Sequence, residues 1–562
     1  MRRPAGMGLL AVLVAAAPAS AAPRLRAFDS CAALVRYASA HAGAARPLPG
    51  PVAGPVAPTA QDAPGAERAG DDVSTTNVQE AGIDEPDVVK VDGGRLLAIS
   101  DGVLYAIDAR AATPRIAGSL ALPPGAGHEL LVRDGRALVI AAGAGGDRPV
   151  PLPRPVDRPG AVAPEILPWT PTTILAELDV RDPAAMRVVR TETVDGRAVG
   201  ARLRGATARV AIASPLSVAA DPAARERLVG CRQVRRPARF AGSGLLTVLT
   251  IDLERGLPAV DADAVAADAD TVYASARALY VATHRWDPGA TATRTEIHRF
   301  DATAGDATRY DASGAVEGSL LSQFALSEHD GALRVASTRE RDAIVTVLAP
   351  RDGRLAELGR VEGLGPDERI RGVRFLGDVG YVVTFRQTDP LYTVDLSDPA
   401  RPRVAGELKI LGYSAYLHPV GDGRLLGIGQ DTTPEGRTLG AQASLFDVSD
   451  PAAPRRLDQR RLGDGAWTPV EGDHHAFLWW PAARLAVLPV GDRGASSALG
   501  LRVGASALAE AGRVAAPQGA SFARATVVGE RLFLLAPGAG VQVAALGSLA
   551  PGAWLALTPP SG

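Results

Sequence analysis

Lysine is almost missing from this chain: 562 residues hold only Lys90 and Lys409, so basic charge rests on arginine. The formal net charge is −2 and no Lys/Arg run is long enough to follow a phosphate backbone, which sets nucleic-acid binding aside. Cysteine is as scarce, with Cys31 and Cys231 alone, too few for a thiolate metal knuckle or a disulfide-dense scaffold. No stretch approaches the roughly 20 uninterrupted apolar residues that a membrane-spanning helix needs. Catalytic signatures are missing too. No H-E-x-x-H or C-x-x-C spacing occurs, "GYSAY" and "GASSALG" lack the paired glycines of a nucleophile elbow, and the Gly-rich "AAGAGGDRP" leads into no helix that could cradle phosphate.

What is present begins at the N-terminus. Arg2 and Arg3 precede an apolar run, Gly8 to Ala17, and then "ASA" at 19–21, the form of a secretory signal peptide over residues 1–22. A secreted or periplasmic destination is expected. Export in turn suggests a Cys31–Cys231 disulfide that staples the N-terminal segment to the body, with two unrelated buried thiols as the alternative. Residues 23–44 read as a short helical segment, because Phe28, Cys31, Leu34, Val35 and Ala38 recur at helical spacing. Residues 45–73 are rich in Pro, Ala and Gly and read as an extended linker.

From Val88 a pattern repeats: an apolar strand, a Gly- or Asp-containing turn, a second strand, a third often ending in Asp, and a Pro-marked turn before a fourth. The third-strand aspartates Asp108, Asp179, Asp252, Asp301, Asp395 and Asp447 are spaced by 71, 73, 49, 94 and 52 residues. The 94 is two intervals, and the two long ones hold insertions at 142–171 and 215–244. A period of roughly 50 with four strands per unit predicts an all-β fold, a β-propeller of four-stranded antiparallel blades over 74–557. Nine first hairpins can be counted. Because propellers typically have about four to eight blades, eight is the favoured number, with seven and nine left open.

The propeller's opening motif, "STTNVQEAGIDEPDVVKVDGG" at 74–94, and the run from Val373 to Asp431 with "SLFDVSDPAAPRRLD" and "DHHAFLWWP" resemble a family of secreted bacterial and archaeal proteins. Its members carry a C-terminal β-propeller domain distantly related to WD-repeats. The resemblance implies the architecture and no particular activity. The motif is expected to feed the first inner strand and to bring Asn77, Asp84, Glu85 and Asp87 to the central channel, packing near 521–528.

Several constellations could carry chemistry. Glu471, Asp473, His474 and His475, with Asp84, Asp87, His418 or Asp431 from other blades, offer carboxylate and imidazole ligands at one channel mouth; no cofactor is the leading expectation, and a divalent cation such as calcium is the alternative. Arg386, Gln430, Asp431 and Trp479 could hold an anionic or sugar ligand, the rival being polar ties and packing between blades. The "DxSDPxxP" copies at 395 and 447 read as turn chemistry. The leading functional expectation is a monomeric, non-catalytic binding or scaffold module of the cell envelope with a protein or glycan partner. A metal-assisted hydrolase or lyase at the channel mouth and a glycan-binding propeller are the alternatives.

Overall fold

The structure is a computed structural model that describes residues 26–41, 72–143, 171–216, 229–237, 241–285, 293–385 and 389–558. The 1–22 leader, nearly all of the 45–73 linker, the body of the 142–171 insertion and Arg386 lie outside the described residues.

Each repeat folds as the alternation of its residues dictates. In blade 1, Val89–Asp92, Arg95–Ser100, Val103–Asp108 and Arg115–Ala121 pair antiparallel in that order. Asp-Gly pairs make several of the tight turns. At 101–102, 134–135, 330–331 and 352–353 both residues take φ between 48° and 80°, the mirror-image turn geometry whose twist suits a hairpin. The aspartates at the end of third strands serve the next turn: Asp395 Oδ1 accepts from the Ser397 N–H and hydroxyl, and Asp447 Oδ1 does the same for Ser449. The "DxSDPxxP" copies are thus turn caps.

Among the described residues nine such four-stranded units follow one another, at 89–121, 126–195, 197–265, 271–317, 326–364, 369–410, 413–461, 478–515 and 524–556, termed blades 1 to 9. The eight favoured from sequence gives way to the nine left open. Both terminal units are complete, and no blade is shared between the chain ends. Between third and fourth strands the register shifts in eight of the blades, all but blade 3. Such bulges strengthen the local twist that a radial blade needs.

The core is distributed rather than central. One apolar cluster lies in each seam between neighbouring blades, and the ninth seam joins Leu96, Tyr105 and Ile107 of blade 1 to Phe533, Leu535 and Val541 of blade 9. The ring is therefore closed. Glycine lets fourth strands nest under the next blade's turn. A Cβ on Gly406 would meet the Pro451 carbonyl at 2.5 Å, and one on Gly359 would meet that of Ala400 at 2.5 Å.

Blade 3 carries an appendage. Strand Val234–Arg236 adds to its outer edge and Arg26–Ala27 adds beyond that. Helix α1 (Cys31–His41) packs Leu34 and Tyr37 against Val229, Val234 and Leu245. The Cys31–Cys231 disulfide pins it across a sequence separation of 200. The described part of the second insertion holds this helix instead of forming a free loop. No described helix is long and apolar enough to cross a membrane.

Candidate metal centre on the ring axis

Residues 73–88 precede blade 1 and run around the inner strands that face the ring axis. Val73 bridges Val528, and the Ser74 N–H donates to the Val527 carbonyl on the inner strand of blade 9. Asn77 Nδ2 reaches the Tyr416 hydroxyl of blade 7 (3.0 Å) and the His474 carbonyl at the entry to blade 8 (2.9 Å). Gln79 Nε2 donates to the Gln323 and Leu326 carbonyls at blade 5. Glu80 accepts from the Tyr273 hydroxyl of blade 4 at 2.7 Å. Asp84 pairs by backbone with Leu203 of blade 3, and Asp87 with Leu130 of blade 2. The segment thus makes one circuit in the order 9, 8 and 7, 5, 4, 3, 2, and enters blade 1. Its groups Gln79, Ile83, Glu85 and Asp87 are buried, so the segment lines the inner wall of the ring at this level.

Lys90 shows why a lysine-poor chain keeps one here. Its side chain is 6% exposed, and its ammonium donates to Thr76 Oγ1 (2.7 Å), Asp84 Oδ1 (2.6 Å) and the Glu85 carbonyl. Three donors on a compact rotatable head fit three separate acceptors, which a planar guanidinium does not.

Along the extended stretch, side chains alternate. Asp84 turns to Lys90, whereas Glu85 and Asp87 share the opposite side and meet the loop "GDHH" that leads into blade 8. That loop is a short 3-10 turn at His474–Ala476, capped by Asp473, whose Oδ1 accepts from the His475 N–H at 3.0 Å. Glu85, 3% exposed, is fixed by the Gln79 N–H (3.0 Å) and by Gln323 Nε2 (3.1 Å to each oxygen), with Arg202 Nε at 3.8 Å. Its Oε2 faces His474 Nε2 at 3.5 Å and His475 Nε2 at 3.6 Å. Arg524 of blade 9 bridges Asp87 (2.7 Å) and Asp473 (2.6 Å), joining the axial segment to both sides of the last seam.

The electrostatics follow from burial and neighbours. Burial alone would raise the Glu85 carboxyl, but Arg202 and the two imidazoles more than offset it and hold it well below the ordinary range. Burial, aided by the nearby His475, lowers His474 to about 4, so it is neutral at pH 7. Burial also acts to lower His475, yet Asp87 and Glu85 outweigh it and its pKa is raised.

Of the residues singled out from sequence, the structure gathers Asp87, Asp473 and His474 within this cluster. Asp84 and His418 stand apart. His418 is packed between blades 7 and 8, with its Nδ1 on the Tyr416 hydroxyl at 2.9 Å and its ring against Phe477 and Trp479. Gln430 donates to Glu471, a tie from blade 7 to the approach of blade 8, and Asp431 pairs with Arg461 and Gln459 inside blade 7. Trp479 packs in the seam of blades 7 and 8, and Trp480 in that of blades 8 and 9. His475, expected beside His474, joins them, and Glu85 completes the cluster, although it was expected at the channel and not among the ligands. The available signal was parity, since Glu85 and Asp87 lie two residues apart and Asp84 does not share their face.

A family model described as a beta propeller domain matches residues 73–547, from the first axial residue to the last blade. The chain belongs to the beta propeller domain family. The propeller domain is similar to an uncharacterized protein of Methanocaldococcus jannaschii, 44% identical over 181 residues, which cover 32% of this chain and 28% of that one. An uncharacterized protein of Archaeoglobus fulgidus is 43% identical over 180 residues, again 32% and 28%. The match thus spans less than a third of these relatives' length. Among solved structures, the computationally designed Ika8 protein aligns with a TM-score of 0.41 at 9% identity, covering 74% of this chain and 94% of that one. Sqt1 of Saccharomyces cerevisiae aligns with 0.38 at 11%, covering 75% and 92%.

Proposed function

We propose that this propeller domain is an exported, non-catalytic scaffold of the cell envelope that takes a protein or glycan partner on its rim and not in its channel. The observation that carries this reading is the axial segment, which lines the channel wall and buries the polar groups a substrate would need. Glu85 and His474 are 3% and 2% exposed, so no face of either is open to a substrate carbonyl or phosphoryl group. Export is supported by the Cys31–Cys231 disulfide, a bond that persists in oxidising compartments.

The rim sector best fitted to a partner is blade 3, where the appendage breaks the repeat. Beside it a groove of about 370 Å³ is lined by Ala27, Arg232, Gln233, Arg235, Asp263 and Arg309. Its mixed charge suits a polar protein surface or an anionic glycan. The test is site-specific photo-crosslinking in the producing cell, with the probe at exposed Gln233 and, as control, at exposed Arg493 on blade 8. One discrete adduct at position 233 that position 493 does not give is the expected result. No adduct, or the same adducts from both positions, would overturn the reading.

A further inference from the structure

Two adjacent histidines at the axis have ring nitrogens that the fold leaves without hydrogen bonds. Both nitrogens of His474 and Nε2 of His475 are buried and unpartnered. A buried polar atom that nothing satisfies is destabilising, so such a group calls for a partner. The two Nε2 atoms converge on one atom, Glu85 Oε2, at 3.5 and 3.6 Å. The rings lie 3.9 Å apart at 45°. These separations are long for an N–H···O hydrogen bond, which falls at about 2.7–3.2 Å. They suit ligands of a shared ion, because bonds of about 2.0–2.1 Å in tetrahedral array set neighbouring ligand atoms about 3.3 Å apart. One ligand atom from each of the three residues lies within 4.8 Å of the others.

We propose that Glu85, His474 and His475 bind one divalent transition-metal ion of the zinc class, which clips the axial segment to blade 8. Two imidazoles and one carboxylate favour zinc, cobalt or nickel over calcium, which takes six to eight oxygens. The outer partners are of the kind that orient metal ligands. Gln79 and Gln323 hold the carboxylate, and Asp473 Oδ1 lies 3.9 Å from His475 Nδ1. Charge agrees, since Glu85, Asp87 and Asp473 outnumber Arg202 and Arg524 by one. The ligands come from opposite ends of the sequence, so the site forms only when the ring is assembled, and its metal is structural. This goes beyond the rim-binding proposal and does not depend on it.

The test uses the full chain without an affinity tag, stripped of metal and then given Zn(II) or Co(II) alone. About one ion per chain retained through gel filtration, a tetrahedral Co(II) visible band, and a melting midpoint lowered by chelator are expected. Glu85→Gln keeps the carboxylate's shape and His475→Gln that of a polar ring substitute. Each should weaken binding by more than about 100-fold, beyond what loss of an outer partner alone costs, while His418→Gln retains full stoichiometry. A folded protein that takes up neither metal would overturn the proposal. So would unchanged stoichiometry in both ligand variants. His474→Gln adds a third measurement where it folds, and the other two variants decide the matter where it does not.

Discussion

The seams between blades and the axis of the ring are built on opposite plans. Each seam is an apolar cluster of Leu, Val, Ile, Ala and aromatic residues, repeated nine times with interchangeable members. The axis is polar, used once, and specified atom by atom: Lys90 on three acceptors, Arg524 between two carboxylates, Glu85 against two imidazoles. Apolar seams reward any residue of suitable size, so they can make blades but cannot count them. The polar axis punishes every mismatch, and it is the part that fixes which blade meets which.

The contrast can be broken most sharply at Arg524. Arg524→Ala leaves Asp87 and Asp473 without their cation in a buried site, and a loss of about 3–5 kcal/mol is expected in urea unfolding. A seam residue should cost somewhat less and about the same wherever it lies. Leu488→Ala between blades 7 and 8 and Leu333→Ala between blades 4 and 5, both fully buried, should each lose about 2–5 kcal/mol, with similar values for the two.

Acid provides a third comparison, because some seams hide histidines. Burial lowers His298 from 6.5 to about 4. Burial, with Arg374 nearby, lowers His418 well below its ordinary value. The unfolded chain therefore binds these protons first. The contribution is complete above about pH 7 and is lost as pH falls from about 6.5 to about 4, by about 3 kcal/mol for His298. Urea midpoints measured at pH 7, 6, 5 and 4 should show this limb, and His298→Phe should flatten it. The smallest effect is expected at the nested turns. Gly406→Ala pushes a methyl toward the Pro451 carbonyl and should cost about 1–3 kcal/mol by thermal unfolding.

The same contrast explains what was legible in the sequence. The seams advertise themselves through period: the aspartates at 108, 179, 252, 301, 395 and 447 are turn caps, and all nine first hairpins open real blades. The favoured number falls one short, because the usual size of propellers, about four to eight blades, points to eight where nine hairpins are readable. The Cys31–Cys231 bond was legible because only one pairing exists. The axis is different. That 74–87 reaches the channel near 521–528 could be read from its position before the first strand. Choosing Glu85 over Asp84 requires the parity of an extended segment whose partners lie nearly the whole chain away. His418 looked like a ligand because sequence does not show that Tyr416, Phe477 and Trp479 enclose it.

The reversed circuit of residues 73–88 also sets an order in time. The segment emerges from the ribosome before any blade, yet its first contacts, Val73 and Ser74 on 527–528, belong to the last blade to be made. It cannot be seated by a partial chain. Closure waits for blade 9, so a segment made before any blade acts as a signature for completeness, withheld until every blade is in hand.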